Sequence, residues 1–92
     1  MVNIELIPKA TIIGLRAFAD RGVPPGHFIR ACLENNFMNV VGYADHENTK
    51  ELPSIASYIY NEIPAASHGS KERVDSWIAS KAKERENAVS NG

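Results

Sequence analysis

Apolar residues recur at helical spacing in four stretches of the chain, and prolines and glycines separate these stretches. The first begins at Pro8, which suits a first helical turn, and runs through Thr11, Ile12, Leu15, Phe18 and Ala19 until Gly22 stops the pattern. Gly14, inside it, costs roughly 1 kcal/mol relative to alanine unless another backbone packs closely there. The second stretch begins at Pro25, which holds Pro24 extended and has no N–H to leave unpaired at a helix start. Ile29, Leu33, Asn36, Val40 and Ala44 then share one face at about 100° per residue, and Phe28, Met38 and Val41 fall outside it. A helix apolar on several sides is either central or part of a subunit interface, so Phe28, Met38 and Val41 are candidates for contact with a second copy.

Asn36 interrupts that apolar face. A buried amide needs a hydrogen-bonding partner, which a neighbouring helix, a water or a ligand can supply. "ENN" also weakens the helix, because asparagine competes for backbone groups, and a kink or break near Asn35 fits the pattern. The third stretch has Asn48 or Thr49 as its cap and Pro53 in its first turn, with Leu52, Ile55, Ala56, Ile59 and Ile63 as a narrow core stripe ended by Pro64. Tyr58 points away from this stripe and Tyr60 lies at its edge, which offers a tyrosine to a partner surface. Ser70 caps the fourth, carried by Val74, Trp77, Ile78 and Ala82. "VNIEL" alternates like a strand, but one short strand makes no sheet, so an extended arm is expected there. The sequence therefore predicts an all-α fold: a compact bundle of about four short helices over residues 8–82, an extended N-terminal arm over 1–7, and a frayed polar tail over 83–92.

The composition fits one folded domain with a thin core. The 92 residues are 43% hydrophobic and 23% charged, and Lys+Arg 10 against Asp+Glu 11 gives a net charge of -1. No global field attracts nucleic acid, so a charged partner must be met by a local patch. The single cysteine, Cys32, makes no internal disulfide and favours a reducing, cytoplasmic compartment. No signal-type start and no apolar run of ~18 to 20 residues appears, which argues against secretion and membrane insertion.

Candidate chemistry is sparse. Asp45, His46, Glu47 and His68 invite a metal reading, but adjacent loop residues lack the i,i+4 pairing that sets two ligands on one helix face, so no metal and no cofactor are expected. Cys32 lies in an apolar helix without an electropositive neighbour in sequence, and the serines near His68 lack a strand–turn–helix setting, so no enzymatic activity is expected. The better constellation is for anions. Two helix starts, Gly26-His27 and Gly69-Ser70, offer free N–H groups and a positive dipole end beside a histidine, His27 or His68. Arg30 lies one turn beyond His27, and Lys71 with Arg73 opens the fourth helix. Tyr43, Trp77 and the tyrosines of the third helix can supply a stacking face for a base.

The ordered segments "GVPPGHFIRACLENN", "GYADHEN" and "YIYNEIPAASHGSKERVDSW" resemble a family of small accessory proteins encoded in bacteriophage genomes, over roughly residues 12 to 77. That family has no motif for a known reaction. Its pattern often carries an acidic residue at the place of Asn36 and an arginine at the place of Tyr43, so no charged site carries over at these two positions. The resemblance implies a phage accessory role in the host cytoplasm, and such proteins often antagonise host defence by stoichiometric binding. Two mechanisms are expected from this. In the first, a homo-oligomer sequesters a nucleotide-derived immune signal at the two helix starts. In the second, the apolar sides of the second helix and Tyr58 dock on a host defence or regulatory protein with no small ligand.

Overall fold

The first apolar stretch, from Pro8 to Gly22, has the length and punctuation that the structure gives it. In the computed structural model, which describes the backbone of residues 4–90 and the side chains of 4–87, α1 spans Lys9–Arg21 with Pro8 as its cap residue. Thr11, Leu15, Phe18 and Ala19 are its buried residues, one face at i, i+4, i+7 and i+8. Gly22 ends it at φ 68, with the Gly22 N–H on the Phe18 carbonyl and the Val23 N–H on the Ala17 carbonyl. A Cβ at Gly22 would stand 2.3 Å from Lys81 Cβ, and one at Gly14 would stand 2.5 Å from Ile29 Cδ1. The two glycines thus let α1 approach its neighbours.

The remaining helices are α2 (His27–Leu33), α3 (Phe37–Tyr43), α4 (His46–Lys50), α5 (Leu52–Glu62) and α6 (Lys71–Ser90), with 3-10 turns at Ile4–Leu6 and Ala65–Ser67. There is no strand among the described residues, and the fold is an all-α bundle. α2 packs on α1, α3 and α6, while α1 packs on α6 and α4 on α5. The shared core holds Ile7, Leu15, Phe18, Ala19, Leu33, Ile55, Tyr58, Ile59, Ile63 and Val74. A buried hydrogen bond of 2.6 Å from Thr11 Oγ1 to Asn48 Oδ1 ties α4 to α1.

Several expectations change. The second helix starts at His27, with Gly26 extended as its cap residue, two residues later than Pro25 suggested. It breaks at Asn35, the one non-glycine residue with positive φ (62°) among the described residues. Asparagine tolerates this left-handed conformation, which turns the chain between α2 and α3. Asn36 then leaves the apolar face: it is exposed and caps α3, its Oδ1 accepting from the Asn39 N–H at 3.4 Å. The cap before the third stretch is Asp45, whose Oδ1 accepts from the Asn48 N–H at 2.8 Å, so a separate α4 forms ahead of α5.

At the ends, Ile4–Leu6 forms a 3-10 turn and Ile7 is buried, where an extended arm was expected; the Ile7 N–H closes the turn on the Ile4 carbonyl at 3.1 Å. Residues 1–3 of that arm lie outside the described residues. α6 continues helical to Ser90, past residue 83 where fraying was expected, because Ala, Lys, Glu and Arg favour helix and Lys81 pairs with Glu84. Residues 91–92 of the tail lie outside the described residues. Among the described residues, no helix is long and apolar enough to cross a membrane.

Candidate functional site

The first of the two predicted anion sites is consumed by the fold. α2 has only seven residues, and its Arg30 donates from Nε to Glu34 Oε2 at 2.6 Å and from Nη2 to Asp75 Oδ1. Asp75 also accepts from Lys71 Nζ at 2.8 Å. Lys71 first, then Arg30, holds the Asp75 carboxyl below its usual range, and Asp75 in turn raises the pKa of both cations. Arg30 therefore joins α2 to α6 through the Asp75 carboxylate, which Lys71 pairs from one turn earlier on α6. His27 stacks on Tyr43, with ring centroids 5.2 Å apart and planes inclined by 26°. That pair brings two predicted residues together across α2 and α3 but leaves Gly26 open, with nothing near its Cβ position.

Trp77 is also spent. Its Nε1 donates to the carbonyls of Phe18 and Ala19 at 3.1 and 3.2 Å, the C-terminal end of α1, and Lys81 Nζ lies 5.0 Å from the ring centroid. Its face is a structural clamp, not a platform for a base. Tyr58, expected at an interface, is buried. The physical reason is a rotation of α5: Ile55, Tyr58 and Ile59 face the core, while Leu52 and Ala56 turn toward a cavity. Phe28, also expected at an interface, packs half-buried against the core. Met38 and Val41, the other two residues expected at an interface, are exposed on α3.

The second predicted site adjoins that cavity. It encloses about 430 Å³ between α5, the α2–α3 turn and the segment before α6. Its walls are Leu52, Ile55, Ala56, Ile59 and Tyr60 on one side and Cys32, Leu33, Phe37 and Val40 on the other. His68 and Gly69 close one end, fixed there by the Gly69 N–H on the Leu33 carbonyl at 2.7 Å. His68 Nε2 is buried without a hydrogen-bond partner among the described residues. Leaving such an atom unpaired costs on the order of 1 to 3 kcal/mol. Ser70 Oγ caps α6 through the Arg73 N–H at 3.2 Å. The Arg73 guanidinium reaches the His68 carbonyl at 3.4 Å and has no carboxylate partner among the described residues. Arg73 is thus an uncommitted cation beside the polar end of an apolar cavity.

Sequence reasoning missed Phe37, Val40 and Tyr60 as cavity residues. The signal was the "NN" break, which rotates α3 relative to α2 and swings Phe37 and Val40 toward α5. Cys32, in an apolar helix without an electropositive neighbour in sequence, is half-buried. It lines the cavity, and burial pushes its thiol up from 9.0 to about 11. Iodoacetamide should therefore label the folded protein at pH 8 about a hundredfold more slowly than a free thiol, with the rate rising about tenfold per pH unit. Labelling at free-thiol speed would contradict this burial. The sign for stability follows: the raised pKa contributes stability that is complete below pH 9 and lost as pH rises through 9 to 11.

Among the described residues no three His, Cys, Asp or Glu side chains are grouped to hold a metal. No family model, no curated protein and no solved structure matches the chain.

Proposed function

We propose that this protein binds, without turning it over, a small ligand with a planar apolar body and one anionic end, seated in the cavity between α3 and α5. The observation that carries the reading is a 430 Å³ apolar cavity closed at one end by His68 and Gly69, with the Arg73 guanidinium on the His68 carbonyl beside it. Such a volume and a mostly apolar lining with few polar groups suit a small molecule. The body lies against Phe37, Ile59 and Tyr60. Arg73, with the N–H groups at the start of α6, meets the anion. A nucleotide-derived immune signal belongs to this ligand class, and its sequestration by a homo-oligomeric phage accessory protein in the host cytoplasm is the setting that the family resemblance suggests.

Native mass spectrometry against a panel of cyclic nucleotides and ADP-ribose derivatives tests the reading. One ligand per chain should be retained, and heat release should return it chemically intact. An accumulating product would overturn binding without turnover, and no retained ligand would remove the nucleotide class. A second reading, docking on a host defence protein, is favoured by the exposed Phe37, Met38, Val41 and Tyr60. It predicts no retention of any panel member.

A further inference from the structure

α3 presents apolar side chains that the single chain leaves uncovered. Phe37, Met38, Val41 and Tyr60 are 71%, 74%, 54% and 83% exposed. Met38, Val41 and Phe37 form a continuous arc on α3, and Phe37 and Tyr60 also line the cavity, so the arc runs directly into its mouth. With ~200 Å² for an aromatic residue, these four expose on the order of 500 Å², near the upper end of the ~300 to 600 Å² for the largest patch on a typical monomer. With a polar rim this approaches the ~800 Å² per partner of a standard interface.

The occupant follows from charge and shape. The helix "FMNVVGY" contains no charged residue. Across a two-fold axis an element faces its own copy, so any charge on it meets a like charge; a neutral helix escapes that penalty. Gly42 follows Met38 by one turn and has nothing within 4 Å of its Cβ position. No contact within the chain requires glycine there, whereas a second helix crossing α3 closely would. The patch also lies beside a cavity with room for side chains of a second copy.

We propose that α3 is a self-association helix, on which a second copy of this chain seats its own α3 so that Met38 and Val41 of each cover the other's cavity mouth between Phe37 and Tyr60. The pairing is isologous, and it encloses the cavity that one chain leaves open. It stands on the exposed α3 arc and does not depend on the identity of any ligand.

Light scattering or sedimentation equilibrium of the ligand-free protein at tens of micromolar tests it. The wild type should run at twice the chain mass of 10.1 kDa. Met38→Asp and Val41→Asp should each run at the single-chain mass with unchanged far-UV circular dichroism. Ile13→Asp, at a 61% exposed apolar position on α1, should remain dimeric. Gly42→Lys improves helix propensity and fills open space, so it keeps the fold while setting like charges face to face; it too should be monomeric. A monomeric wild type would overturn the proposal. So would a dimer that survives Met38→Asp, Val41→Asp and Gly42→Lys.

Discussion

Trp77→Ala should destabilise the bundle by about 3 kcal/mol, the lower part of the range for removing a large aromatic, because the ring is only partly buried. For a domain of this size that corresponds to a fall in melting temperature of roughly 12 to 24 °C. The loss has two separable parts. The ring packs against the core, and its N–H satisfies carbonyls at the end of α1 that a helix terminus otherwise leaves for solvent. Trp77→Phe retains most of the packing and removes the hydrogen bonds, so it should cost about 1 kcal/mol. Thermal melts followed by circular dichroism measure both. A melting temperature for Trp77→Ala within ~5 °C of wild type would refute the clamp. The same variants separate the clamp from a ligand-stacking role, since Trp77→Phe should leave small-molecule binding unchanged.

The sequence made local punctuation legible and left three-dimensional competition for side chains hidden. Gly22 as a helix stop and Ser70 as a cap follow from conformational rules that act within a few residues, and both stand in the structure, whereas what packs on Gly14 is the Ile29 side chain and not a backbone. The break at Asn35 was readable as a weakness. Its consequence, a separately directed α3, was not, because periodicity carried across "ENN" assigns Asn36 to an apolar face that ceases to exist there. Tyr58 illustrates a second limit. The stripe Leu52, Ile55, Ala56, Ile59 defines a helix face only to within about one residue's rotation, and the actual buried arc includes Tyr58 while Ala56 lines the cavity. Arg30 illustrates a third. Glu34, one turn ahead, was visible as a partner, but Asp75 is 45 positions away and only packing of α2 on α6 brings it close. Arg30 was thus identifiable as a cation beside the first helix start but not as one already paired from α6, and of the predicted cations Arg73 is the one without a carboxylate partner among the described residues.

Ala56→Trp should abolish binding of a small apolar anion while leaving the fold intact. Ala56 lines the cavity from α5 and is itself solvent-exposed, so an indole there occupies the groove without displacing core side chains. Surface substitutions of this kind shift stability by about 0.5 kcal/mol or less, which keeps the melting temperature within ~4 °C. Anilinonaphthalene sulfonate is a suitable probe, since it combines a planar apolar body with a single anion. The wild type should bind one molecule per chain, and Ala56→Trp should weaken this more than a hundredfold. Arg73→Ala removes a charge-assisted hydrogen bond of about 1.5 to 3 kcal/mol and should weaken the probe by about ten- to a hundredfold. Arg30→Ala serves as the contrast: its guanidinium is held by Glu34 and Asp75, so its loss should lower stability and leave probe affinity unchanged. Fluorescence titration with parallel melts distinguishes these cases. Equal probe binding by wild type and Ala56→Trp would place the site elsewhere, and weaker binding by Arg30→Ala than by Arg73→Ala would return the anion to the start of α2.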